Sequence, residues 1–271
     1  MSKLLIVFAF AFAKFSGICE AGELSLDGNF IQGGLVFGKV DPGSSVEVDG
    51  KRLSLSTDGR FLIGFGRNAP RQATLSITGS DEIIEHRTFA VSPRQYKIQR
   101  IDGLPARKVT PKPEDVAHIK ADNAGINRVR RLDTAEAFFA SGFIWPVTGR
   151  LSGVFGSQRI LNGKPKNPHN GTDIVAAEGT IIKAPSDAQV VLVNDDMFYT
   201  GKTLMLDHGL GLTSVYAHMS TVLVEQGTMV KKGMPIGKVG KTGRVTGAHL
   251  HWGVTLRHIH LDPALIAGKM P

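Results

Sequence analysis

The sequence predicts an all-β protein with a helical linker: a small β module, a basic connecting segment, and a second, glycine-rich β module. Two observations carry this reading. Short apolar runs alternate with turn residues at both ends of the chain, where 32 Gly and 13 Pro punctuate 271 residues and aromatics supply only 7%. That composition favours turns and short strands over long packed helices. Between them, residues 94–131 hold ten basic and four acidic residues and turn helical in character after Pro105, Pro111 and Pro113. With 42% hydrophobic and 21% charged residues the chain is too apolar for a disordered one, and its length allows one large domain or two small ones.

Residues 1–21 read as a signal peptide. Lys3 precedes an apolar run at residues 4–13, too short for the roughly 20 residues that span a bilayer and suited to a signal-peptide core. Small-residue cleavage rules are met after Ala13 and after Ala21, whereas bulky Ile18 before Cys19 argues against lipid attachment. No other stretch is apolar enough to span a membrane. The mature chain is therefore expected in the periplasm or outside the cell.

Residues 22–101 show turn-punctuated strands at 30–31, 35–37, 46–48, 53–56, 61–63, 73–78 and 87–91, with Asp49-Gly50 as a hairpin signal. Seven short strands at this spacing suggest an immunoglobulin-like β-sandwich. Residues 102–142 form the basic linker. A helix is expected over 114–141, with Val116, Ile119, Val129, Leu132 and Phe139 as packing positions and Asn123 and Gly125 as interruptions. Its charge is either a solvated face or an attraction to an anionic polymer. No stacking aromatics are interleaved with it, so nucleic acid does not fit.

Residues 143–271 contain seven of the nine histidines, and the single cysteine of the chain excludes a Cys-based zinc site. Any metal must be held by His and carboxylate. Three elements matter: His169-Asn170-Gly171-Thr172-Asp173, Tyr216-Ala217-His218 and His249-Leu250-His251. Residues 212–219 and 248–254 read as strands, so alternation puts His249 and His251 on one face with Leu250 and Trp252 on the other. By the same rule Tyr216 and His218 share a face. Imidazole plus carboxylate suits zinc, and three protein ligands with one open position is the catalytic arrangement. There is no His-Glu-x-x-His helix. His208, His258, His260, His118 and His86 read as structural or surface residues.

From about Trp145 to Pro263 the chain resembles the M23 (lysostaphin/LytM-type) zinc metallopeptidases. The matching residues are Phe155-Gly156-Ser157-Gln158-Arg159, His169-x-Gly171-x-Asp173, Asp207-His208-Gly209, Tyr216-Ala217-His218-Met219, Val230-Lys231-Lys232-Gly233 and Gly247-x-His249-Leu250-His251. The resemblance implies an antiparallel β-groove domain holding one Zn2+ per chain through His169, Asp173 and His251. It implies His218 as general base and His249 as stabiliser of the oxyanion. Arg159 and Asn162 become groove-wall candidates for substrate binding, with Tyr216 a third; in some latent relatives an Asn at this place takes the fourth zinc position. An ordinary surface hydrogen bond explains Arg159 equally well. The implied activity is hydrolysis of peptide crosslinks in peptidoglycan, with peptidoglycan peptides and an envelope regulator as partners. The alternative is a non-catalytic or latent envelope protein that binds peptidoglycan or regulates another hydrolase.

Overall fold

The computed structural model describes residues 24–271 apart from Ser80, Asp81 and Ile83; the signal-peptide assignment, with Cys19, lies outside the described residues. The first module contains β1 (Ser25–Gly28), β2 (Leu35–Lys39), β3 (Ser45–Val48), β4 (Lys51–Arg52), β5 (Arg60–Gly64), β6 (Gln72–Thr78) and β7 (Ile84–Ala90). They form two sheets, β1-β2-β5 and β4-β3-β6-β7, antiparallel throughout. Alternating residues from both, among them Val36, Phe61 and Ile63 against Val46, Leu75 and Ile77, make one buried cluster, so the module is a sandwich.

At the β3–β4 turn Asp49 and Gly50 have φ of 50° and 73°, the left-handed pair that a type I′ hairpin requires. Two expected strands are displaced. Residues 30–31 make only a single bridge, Ile31 to Ser92, while β1 pairs with β2 instead. Residues 53–56 are not a strand: the Ser54 hydroxyl donates to Asp133 Oδ2 and accepts from Arg257, drawing this segment to the second module.

The connecting region holds β8 (Ile98–Ile101), a short helix α1 (Ala106–Val109) and α2 (Val116–Val129). Gly125 does not interrupt α2; it is buried facing Leu192, and Val129 packs with Leu192, Met197 and Met205. The helix stops at Val129 rather than continuing to 141. Beyond it the side chains of Asp133 and Thr134 bond to Arg257 and Asp207, and Leu210 N–H donates to Thr134 O at 2.7 Å. These tertiary bonds fix an extended path, and only residues 138–141 coil again, as a 3-10 turn.

The second module contains β9 (Leu151–Gly153), β10 (Gln158–Leu161), β11 (Lys164–Pro165), β12 (Thr172–Val175), β13 (Ile181–Lys183), β14 (Ala188–Met197), β15 (Gly201–Asp207), β16 (Leu212–Val222), β17 (Met229–Val230), β18 (Pro235–Val239), β19 (His249–Leu256), β20 (Ile259–Leu261) and the terminal helix α3 (Pro263–Ala267). Its main sheet runs β17-β14-β15-β16-β19-β12-β9, with β18 bridging β13 and β16 and β20 closing on β19. Leu204, Leu206, Tyr216, Leu250, Trp252 and Val254 form its apolar face. A separate small sheet, β11-β10-β8, pairs β8 in parallel with β10. The boundary expected at residue 101 therefore shifts, because β8 joins the second module.

The β1-β2-β5 sheet is covered on both faces. Val36, Phe61 and Ile63 face the sandwich interior, whereas Leu35 and Leu62 belong to the core of the second module beside Leu256 and Leu261. Polar ties reinforce the junction: Arg94 Nη1 to Asp262 Oδ2 at 2.8 Å, Asp262 N–H to Gly33 O at 2.7 Å and Arg67 Nε to Gly156 O at 2.7 Å. Among the described residues, no helix is long and apolar enough to cross a membrane.

Candidate metal centre and groove

Register brings the metal-type residues together. Asp173 on β12 stands directly opposite His251 on β19, which in turn stands opposite Ala217 on β16. Asp173 is thus a strand residue, with its backbone fixed by its neighbours on both sides. His169 enters from the segment before β12. Asp173 Oδ1 lies 2.8 Å from His251 Nδ1 and 3.0 Å from His169 Nε2, and the two ring nitrogens are 3.1 Å apart. One zinc ion with bonds of about 2.0–2.2 Å reaches all three atoms. Gly171 makes the approach feasible, since a Cβ there would sit 2.5 Å from Trp252 O and 2.8 Å from His251 Cε1.

The electrostatics suit a cation. Burial pulls the His169 pKa down to about 4, so its ring is neutral and free to ligate at neutral pH. Its Nδ1–H donates to Val154 O at 3.2 Å, which directs Nε2 inward. Burial works against the Asp173 carboxylate, yet the facing imidazoles of His169 and His251 hold it well below the usual carboxylate range. A buried anion between two imidazoles is the donor set of a divalent metal.

Two further histidines flank this triad. His249 shares the His251 face, its Nδ1–H donates to Gly247 O at 2.9 Å, and its Nε2 is 3.9 Å from Asp173 Oδ1. His218 arrives differently. Tyr216 pairs with Leu204 and Met219 with Lys202, so β16 carries one more residue than β15 across that interval. The extra residue is a β-bulge, and His218 sits in it at φ 64°. Its ring lies 4.9 Å from that of His249 and 6.2 Å from that of His251, centroid to centroid. Burial drives its pKa well below the ordinary imidazole value, and Nδ1–H donates to Thr242 O at 2.8 Å. Nε2 is left as a free lone pair beside the triad.

The family model of Peptidase family M23 matches residues 167–263, a span that includes all five of these groups. This part of the chain is thus similar to an M23 peptidase domain. Over 117 residues it is 37% identical to the peptidoglycan DD-endopeptidase ShyB of Vibrio cholerae, covering 43% of this chain and 24% of that protein. Over 109 residues it is 40% identical to ShyA, another peptidoglycan DD-endopeptidase of that organism, covering 40% and 25%. The matched part thus spans about a quarter of the length of these curated relatives. A crystal structure from Pseudomonas aeruginosa assigned to peptidase M23 aligns over 88% of this chain and 95% of its own, with 28% identity and a TM-score of 0.67. That overlap extends well beyond residues 167–263.

The three substrate-contact candidates fare differently. Tyr216 is a correction: the bulge reverses alternation after it, so it shares its face with Trp252, fully buried, with its hydroxyl 2.8 Å from Ser214 Oγ. Asn162 is another, because its amide is engaged by backbone and makes no bond to the triad. Its amide exchanges two bonds with the Leu104 backbone, at 2.7 and 3.2 Å, and pins the linker. Arg159 does reach the centre, where its guanidinium contacts Asp173 Oδ2. His208 holds its turn as expected, bonding Asp187 O at 3.0 Å and Ser214 Oγ at 2.8 Å. His258 is exposed at the β19–β20 turn. The sequence reading gives no role to the carbonyls of Val154, Thr242 and Gly247, which orient three rings. Backbone acceptors leave no mark on residue identity.

Proposed function

We propose that this protein is a zinc-dependent endopeptidase that hydrolyses peptide crosslinks of bacterial peptidoglycan and acts outside the cytoplasm. The observation that carries the reading is the convergence of His169, Asp173 and His251 with two more inward-facing imidazoles, His218 and His249, in an M23 domain. The names of ShyA and ShyB supply the substrate class. Bound by the triad, zinc supplies Lewis-acid polarisation of a carbonyl and acidification of water. His218 accepts a proton at Nε2, since its Nδ1–H is committed to Thr242 O and burial keeps the ring neutral. His249 presents Nε2 on the same side; with its Nδ1–H committed to Gly247 O, the ring protonated at both nitrogens would donate Nε2–H to negative charge developing on the scissile carbonyl oxygen. The basic linker suits an anionic wall polymer. Incubation with muropeptide dimers, with and without chelator, tests this. Cleavage that chelator abolishes and zinc restores is expected; dimers left intact by folded, zinc-loaded protein reject it.

One observation favours a second reading, that of a latent form. Residues 104–108 are tied to Asn162 on one side of the domain and to the β14–β15 turn and Arg244 on the other. Lys108 Nζ donates to Phe198 O at 2.6 Å and stands 4.0 Å from the Phe198 ring, and Arg244 Nη1 donates to Lys108 O at 3.4 Å. In this latent reading the strap, held at both ends, is what restricts entry of an extended peptide. Asn162→Ala with Lys108→Ala removes the side-chain anchor at each end, leaving only the Arg244 bond to the Lys108 carbonyl, and faster dimer cleavage by the double variant supports latency. Equal rates remove it.

A further inference from the structure

The two oxygens of the Asp173 carboxylate have different company. Oδ1 faces His169 and His251 at 3.0 and 2.8 Å, while Oδ2 accepts from the Arg159 guanidinium. Arg159 Nε in turn donates to Gln99 Oε1 at 3.3 Å, and the Gln99 amide donates to Ser152 O at 2.8 Å. Gln99 on β8 and Arg159 on β10 are register partners in the parallel pair that ties the linker to the second module. Gly153 on β9 leaves the room: a Cβ there would collide with Asp173 Oδ2 and come within 3.1 Å of Arg159 Nη2. The Arg159 side chain is only 17% exposed, so the contact is held inside the protein rather than at its surface.

We propose that Arg159 and Gln99 form an outer tier that sets the metal affinity of this centre. Arg159 is a positioning residue that grips Asp173 by Oδ2, and Gln99 anchors Arg159. The inference rests on the zinc reading above. A carboxylate free to turn can offer an ion both oxygens or neither. A planar guanidinium on one oxygen fixes the carboxylate plane, presents Oδ1 alone to the ion and so leaves a coordination position for substrate or water. Gln99 lies in β8, outside residues 167–263 that match the M23 family. The affinity of the centre for its ion is therefore set partly by chain that precedes the peptidase domain.

The test is zinc affinity of the full chain, measured by competition with a chromogenic chelator. It compares wild type with Arg159→Ala, Arg159→Lys, Gln99→Ala and the combination of Gln99→Ala with Arg159→Lys; thermal melts of the zinc-free proteins confirm folding. Arg159→Ala is expected to weaken zinc binding by about 10–100-fold, the usual effect of losing an outer-shell partner. Gln99→Ala weakens it by a smaller factor. That factor vanishes in the Arg159→Lys background, because an ammonium keeps the contact to Asp173 but has no Nε to hand to Gln99. A purely structural weakening persists in both backgrounds. Unchanged affinity in Arg159→Ala, or a Gln99→Ala effect undiminished by Arg159→Lys, overturns the inference while leaving the zinc reading intact. Should Arg159→Ala not fold, the Gln99→Ala and Arg159→Lys comparison decides alone. A wild-type chain that takes up no zinc overturns the zinc reading, and this inference with it.

Discussion

Strands β16 and β19 lie side by side and each sends histidine into the same centre, but by opposite means. On β19 regular alternation is enough: His249 and His251 face the triad, and Leu250 and Trp252 are buried in the core behind. On β16 alternation would turn His218 toward that core. One extra residue and a left-handed backbone at φ 64° turn it back. The regular strand presents the proposed metal ligand in a geometry that many sequences reach. The bulged strand presents the proposed proton acceptor at a place and angle that a regular strand cannot supply, at the cost of backbone strain.

The comparison breaks most completely at the ligand. His251→Ala removes one corner of the triad, so zinc content by mass spectrometry and dimer cleavage should both vanish. His218→Ala separates the two strands more sharply: zinc content should stay stoichiometric while the cleavage rate falls by about 10²–10⁴-fold, as for loss of a general base. Zinc lost together with activity in His218→Ala would make the bulge a ligand site rather than a proton site.

Backbone strain gives a smaller and independent difference. A β-branched residue tolerates the extended backbone of β19 but not a left-handed one. Urea unfolding of the zinc-free protein should show His218→Val less stable than His249→Val by about 1–3 kcal/mol. Equal stabilities would mean that the bulge relaxes without strain. Smallest is Tyr216→Phe, which removes only the buried hydroxyl bond to Ser214. It should cost about 0.5–1.5 kcal/mol of stability and leave the KM for muropeptide unchanged. A raised KM would return Tyr216 to the groove.

These two strands also mark what the sequence could and could not tell. Spacings of two and four residues placed His249, His251, His169 and Asp173 in one constellation, because local periodicity and residue chemistry carry that information. The Asp49-Gly50 turn was equally legible, since few residue pairs tolerate two positive φ values. Tyr216 was misplaced because a bulge depends on the register with a neighbouring strand, which no single run of residues reveals. Asn162 was misplaced because its partner, Leu104, is remote in sequence and offers only backbone. Ser54 was read as strand for the same reason, its partners Asp133 and Arg257 lying far along the chain. Alternation is a rule about isolated strands, and errors gathered where tertiary partners intervene.

The doubly covered β1-β2-β5 sheet has a consequence for how the protein comes apart. Leu35 and Leu62 are at once part of the first module and of the peptidase core. Neither half can melt while the other keeps its interior dry, so calorimetry should record one transition in place of two. A protease nick between residues 91 and 143 would leave the fragments clasped together. Prying them apart would bring Leu210, Leu256 and Leu261 to water as a sticky patch, and the liberated peptidase would be lost to aggregation. Any release of the strap at residues 104–108 must therefore happen in place, without discarding the amino-terminal half.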